Sequence, residues 1–114
     1  MTTQEVAERL VFLCRNGEFV QAEEELYSQN VIHIETDGQE YKGIDNLLLK
    51  EKQFLEKLEN KPVIKVSDPI VAGNFFFVNM HMEITHKELG NKILDEIIIY
   101  EVNIGKIVFL RCYS

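Results

Sequence analysis

The hydrophobic rhythm of the chain changes once, near residue 62. Before that point apolar side chains recur every three or four positions; after it they alternate. Val6, Leu10, Leu13 and Cys14 share one helical face, and Thr2 with Glu5 has the spacing of a capping box. Asn16-Gly17 supplies the stop, because glycine accepts the left-handed backbone of a helix end. Phe19, Ala22 and Leu26 form the stripe of a second helix, from Glu18 to about Ser28, with Tyr27 beside it. Glu23, Glu24 and Glu25 read as its solvated face. Val31 to Thr36 sets Ile32 and Ile34 against His33 and Glu35, the alternation of a short strand. Asp37-Gly38 is a turn, and Asp45 stands as N-cap of a third helix running to about Glu59. Leu47, Leu48, Phe54, Leu55 and Leu58 give that helix a broad apolar face, and Asn60-Lys61-Pro62 ends it.

The period-two region predicts four strands. Val63–Ala72 is the first, with Pro69 marking an edge or bulge. Phe75–His86, Ile93–Val102 and Lys106–Tyr113 follow, separated by turns at Gly73-Asn74, Lys87–Lys92 and Asn103-Ile104-Gly105. Helices first and hairpin-linked strands after is the order of a segregated α+β domain, one domain over residues 1–114. On Phe75–His86 the more uniformly apolar face carries Phe76, Val78, Met80, Met82 and Ile84, and is assigned to the interior. On Ile93–Val102 hydrophobicity does not separate the two faces. On the last strand Val108, Leu110 and Cys112 are expected to face in, with Phe109, Arg111 and Tyr113 out.

Composition narrows the classes of function. The net charge is −7, and the 12 basic residues are scattered rather than striped. Nucleic acid and anionic membrane surfaces are bound chiefly through positive charge, so neither is an expected partner. No window is apolar enough to span a bilayer, and the polar, acidic start has no signal-peptide pattern, so the cytoplasm is the expected location. Cys14 and Cys112 lie in apolar surroundings with no ligand spacing, and read as reduced, buried small hydrophobes. His81 and His86 have no acidic partners at ligand spacing, so neither a metal nor any cofactor is expected.

Several short pieces stand in a characteristic order: Asn16-Gly17-Glu18-Phe19, Leu26-Tyr27, Tyr41-Lys42-Gly43-Ile44-Asp45 and Asn103-Ile104-Gly105-Lys106-Ile107-Val108. Together they resemble the nuclear transport factor 2-like superfamily, in its SnoaL-like and ketosteroid-isomerase-like branch. The resemblance implies a cone-like fold: three N-terminal helices packed in a strongly curved antiparallel sheet, a half barrel with an internal pocket. It favours Glu96, Ile98 and Tyr100 inward on the third long strand. With Met80, Met82, Ile84, Leu110 and Cys112, these become the expected ligand-binding wall.

The resemblance also implies a catalytic position. Ketosteroid-isomerase-like members carry their base, a carboxylate, at the end of the first strand, and Glu35 stands there, with His33 two residues earlier on the same face. Glu35 and His33 are therefore the catalytic candidates. The alternative is a solvated strand-end carboxylate and an ordinary strand histidine. The isomerases' oxyanion donors, a first-helix Tyr and a strand acid, are absent: the first helix has no Tyr, and Ile98 occupies the acid's position. The expected function is binding of a small apolar or carbonyl-containing molecule, with no particular reaction. The alternatives are an isomerase- or lyase-like enzyme using Glu35 as general base, and a non-catalytic dimerisation module. Phe75, Phe77, Ile97, Ile99, Phe109 and Tyr113 on the convex sheet face predict a homodimer.

Overall fold

The computed structural model describes all 114 residues. Helices α1 (Thr3–Arg15) and α2 (Phe19–Leu26) lead into strand β1 (Tyr27–Ile34). Strand β2 (Glu40–Lys42) and helix α3 (Ile44–Glu56) follow, then β3 (Val63–Val66), β4 (Ile70–Ala72), β5 (Phe75–His86), β6 (Gly90–Asn103) and β7 (Lys106–Tyr113). The capping box of α1 forms: the Thr2 hydroxyl accepts from the Glu5 N–H at 3.1 Å, and the Glu5 carboxylate accepts from the Thr2 N–H at 2.9 Å. Gly17 closes the helix at φ +74°.

The sheet runs in the order β2-β1-β7-β6-β5-β3, with β4 also paired to β5. It is curved and unclosed, and the helices pack on its concave side. Phe76, Val78, Met80, Met82, Ile84 and His86 of β5 are all buried while their alternating neighbours are not, so the inward face is the expected one. Ile98, Tyr100 and Val102 of β6 join the five apolar members of that face in a core of 23 residues that also takes Val6, Leu10 and Leu13 from α1.

The architecture differs from the sequence expectation in five places. Helix α2 ends at Leu26, not near Ser28, and β1 begins at once at Tyr27 rather than at Val31. Tyr27–Asn30 has no alternating pattern of its own; it is extended because β1 pairs with β7, a partner about eighty residues away. That pairing is parallel, so the sheet is antiparallel everywhere except at this one junction. The three-residue strand β2 forms a hairpin with β1. Val63–Ala72 is two strands, because Ser67-Asp68-Pro69 interrupts the ladder against β5. Gly43, not Asp45, is the N-cap of α3; its φ of +87° suits only glycine, and Asp45 sits in the first turn.

One inward assignment also changes. A register shift between Glu101 and Val102 rotates the start of β7, so Ile107 is buried and Val108 is half-buried. Beyond it Leu110 and Cys112 face in as expected. No helix is long and apolar enough to cross a membrane.

Candidate functional site

The helices do not fill the concave face. Between them and the sheet lies an open cavity of about 390 Å³. Of the expected wall, Met80, Met82, Glu96, Ile98, Tyr100, Leu110 and Cys112 all line it, as do both catalytic candidates, Glu35 and His33. Ile84 does not; it is buried in the core away from the cavity. The deep apolar part is closed by Leu10, Phe19 and Tyr100, whose ring stacks on Phe76 at 4.6 Å between centroids.

Strand β1 directs His33 toward β7, where it pairs with Leu110, and Glu35, two residues on and just past the strand's end, lies on the same side. His33 Nε2 lies 3.4 Å from Cys112 Sγ and 3.4 Å from Glu35 Oε1. The Glu35 carboxylate also accepts a hydrogen bond from the Lys50 ammonium of α3. The Lys50 Nζ lies 4.9 Å from the centre of the Tyr41 ring. Burial opposes the charge of Lys50, but the bond to Glu35 and the fields of Glu35 and Glu51 outweigh it, and its pKa rises. His33 is pushed down by burial, against the pull of Glu35, which favours the neutral imidazole. Burial, aided by Glu96 and Glu35, pushes the Cys112 thiol up to about 12, so it is no thiolate nucleophile.

His33, Glu35 and Cys112 present donor atoms within 4.8 Å of one another, a set that could hold a metal ion. The bond from Lys50 already neutralises its only carboxylate. A divalent ion there would compete with that ammonium for the carboxylate charge. This pairing also carries a prediction. Lys50→Met leaves Glu35 half-buried beside Glu51 and Glu96, which is expected to cost roughly 1–2 kcal/mol in urea unfolding, less than a fully buried pair because Lys50 reaches solvent. Combining it with Glu35→Gln should recover most of the loss.

Sequence reasoning missed the helical contribution. Glu23 does not belong to a solvated face: it lines the cavity, and its Oε1 is shielded from solvent with no hydrogen-bond partner. Burial first, and Glu51 second, push its pKa up to about 9. Glu51 and Glu96 are raised as well, in each case mainly by burial. The signal was present in the spacing, since Glu23 is four residues from Phe19 and three from Leu26, within the inward stripe of α2. Lys50 and Glu51 likewise fall between Leu47 and Phe54.

The other histidines divide. His86 lines the cavity, and its Nδ1 accepts from the Glu88 and Leu89 N–H groups at 3.1 and 3.2 Å, which places the proton on Nε2. His81 does have acidic neighbours, contrary to expectation: Glu83 at 3.2 Å and Asp95 at 3.6 Å, brought together across β5 and β6 on the opposite sheet face.

Three helices against a curved, unclosed sheet are the arrangement of the cystatin-like and nuclear transport factor 2-like folds. The chain belongs to the SnoaL-like domain family, whose model matches residues 1–113. It is similar to a protein from Mesorhizobium loti proposed to be a SnoaL-like polyketide cyclase, with 26% identity over 100% of both chains and a TM-score of 0.92. A proposed polyketide cyclase from Pseudomonas putida matches 100% of this chain and 92% of its own, at 18% identity and a TM-score of 0.74. A cystatin-like protein of unknown function from Xanthomonas campestris matches 100% and 91%, at 15% identity and a TM-score of 0.82. None of the curated proteins matches the chain.

Proposed function

We propose that this SnoaL-like domain binds a mostly apolar, carbonyl-containing small molecule in its cavity, with Glu35 and His33 as polar anchors. The observation that carries this reading is the cavity itself. About 390 Å³ lies within the range of small-molecule sites, and Met80, Met82, Ile98 and Leu110 give it an apolar wall facing one charged corner. The two methionines make that wall adaptable. A vestigial pocket in an association module fits less well, since the side chains have not collapsed into the space.

Catalysis with Glu35 as general base is the weaker reading. Glu35 faces the cavity beside His33, as a base must, and proteins of similar structure are proposed cyclases. However, the Lys50 ammonium already occupies the Glu35 carboxylate. An ammonium on one carboxylate oxygen lowers the basicity of the whole group, whereas an anchoring pair needs no free base.

The test is a titration with the dye Prodan, a naphthyl ketone whose emission shifts to the blue in apolar surroundings. The wild type is expected to bind one dye per chain with a blue shift. Ile98→Trp, which fills the cavity from a buried wall position, should abolish the shift while leaving the far-UV circular dichroism intact. An unshifted emission, or an equal shift in the filled variant, counts against the reading.

We further propose a two-fold homodimer through the convex face of the sheet. Phe75, Phe77, Ile97 and Tyr113 are exposed there, and Ile93 is 69% exposed, an apolar surface that solvent alone does not favour. Sedimentation at micromolar concentration should give twice the chain mass of 13.3 kDa, and a strict monomer would remove the dimer. A cytoplasmic location is consistent with two free, buried cysteines, which a reducing compartment preserves.

A further inference from the structure

Among the polar residues His86 is the most deeply buried, at 7% exposed, and it lines the cavity. Its surroundings fix the ring. The Glu88 and Leu89 N–H groups of the β5–β6 turn both point at Nδ1, at 3.1 and 3.2 Å. A backbone N–H can only donate, so Nδ1 accepts and the hydrogen of the neutral imidazole lies on Nε2. The backbone on either side is fastened to the end of α3. The Glu59 N–H donates to the Thr85 carbonyl at 2.9 Å, and the Lys87 N–H to the Lys57 carbonyl at 2.8 Å. The Phe54 ring lies 6.3 Å from the imidazole, centre to centre. An N–H donor of fixed tautomer is thus held in place before any ligand arrives.

Nε2 stands across the ring from Nδ1, turned away from the hairpin. No protein group accepts its hydrogen, yet the atom is not sealed off, as Glu23 Oε1 is. An acceptor placed in the cavity would satisfy it. The anchors named above serve a carbonyl oxygen less well, because that oxygen needs a donor. Bonded to Lys50, the Glu35 carboxylate can only accept. His33 Nε2 is set against Cys112 and Glu35, and Lys57 pairs with Glu88 at 3.2 Å. A ligand carboxylate would bring another negative charge into a cavity lined by Glu23, Glu35, Glu51 and Glu96, so a neutral oxygen suits the donor.

We infer that His86 is the residue that recognises the ligand's carbonyl, its Nε2–H donating to a neutral carbonyl oxygen. The inference rests on the binding role proposed above and deepens it by giving the ligand a direction. On α3, Lys50 marks the Glu35 end of the cavity and Lys57 the His86 end. They are seven residues apart, about 10 Å along the helix. A ligand with its carbonyl on His86 lays its apolar body along Met82 and Met80, on the same face of β5, and turns its far end toward Glu35 and His33.

Calorimetric titration with two probes of one shape tests this: Prodan, and its deoxy analogue in which a propyl group replaces the propanoyl. His86→Asn keeps an oxygen near the place of Nδ1 to receive the turn N–H groups, and removes the donor at Nε2. It is expected to weaken Prodan about three- to tenfold, the usual worth of one neutral hydrogen bond, and to leave the deoxy analogue unchanged. In the wild type, nitrogen-15-labelled histidine should show His86 protonated on Nε2 and bare on Nδ1, with the Nε2 signal moving further for Prodan than for the analogue. Equal weakening of both probes, or an unchanged Prodan affinity, overturns the carbonyl role while the cavity stands. So does a proton on Nδ1. If neither probe binds the wild type, the carbonyl role and the cavity reading fall together. Should His86→Asn fold poorly, the wild-type signal decides: equal movement with both probes overturns the inference.

Discussion

Glu23→Gln is expected to make the protein more stable than the wild type at pH 8, and to flatten much of its loss of stability between about pH 5 and pH 9. The Glu23 carboxyl titrates near its ordinary value of 4.5 when the chain is unfolded and near 9 when it is folded, chiefly because folding removes it from water. Below 4.5 both states hold the proton and the group is neutral in each. Between 4.5 and 9 the folded state binds more protons than the unfolded one, so stability falls as pH rises. Above 9 both states are ionised and the loss is complete. At about 1.4 kcal/mol for each tenfold change in proton affinity, and allowing for partial contact with cavity solvent, the cost is a few kcal/mol. Glutamine keeps the shape and removes the titration. Some slope remains, because Glu51 and Glu96 are displaced in the same direction. Urea unfolding of both proteins at several pH values measures this; parallel curves across the range would show that Glu23 is not buried as described.

Phe76→Ala is expected to cost about 3–5 kcal/mol in the same assay, the usual range for emptying a fully buried aromatic site. Phe76 is only 1% exposed and lies under the Tyr100 ring, with an interplanar angle of 12°. Its removal would open a void next to a cavity that is already present, so the neighbouring side chains have little reason to collapse into it. Small domains have ΔG of unfolding of about 5–15 kcal/mol, so this variant should be near the margin at 37 °C. A loss below about 1 kcal/mol would mean that Phe76 is not part of the core around which the sheet curves.

How much of this was visible in the amino-acid order depends on the range of the interactions. The inward face of β5 follows from simple alternation, because every second side chain meets the same apolar layer. His33 and Glu35 share a face for the same reason. The parallel pairing of β1 with β7 has no local trace, since Tyr27–Asn30 becomes a strand only when residues about eighty positions away arrive beside it. The charged residues of the helices present a different difficulty. Glu23, Lys50 and Glu51 look like any solvated helix surface, and a helix face over an open, polar cavity has the same composition as one facing water. Only their place within the apolar stripes of α2 and α3, between Phe19 and Leu26 and between Leu47 and Phe54, distinguishes them. The candidate site was thus half legible: its sheet side was read from the strands, and its helical side, where Glu23, Lys50 and Glu51 lie, was not.

The central claim is that a small molecule enters the space between helices and sheet. The chain has three methionines, of which Met80 and Met82 line the cavity and Met1 is exposed. Carbon-13-labelled methionine methyl groups, followed by NMR during a Prodan titration, report on the place of binding as well as its occurrence. The Met80 and Met82 resonances should move together and saturate at one dye per chain, with Met1 unmoved. Unchanged Met80 and Met82 signals under conditions where the dye is bound would place it elsewhere and contradict the cavity as the site.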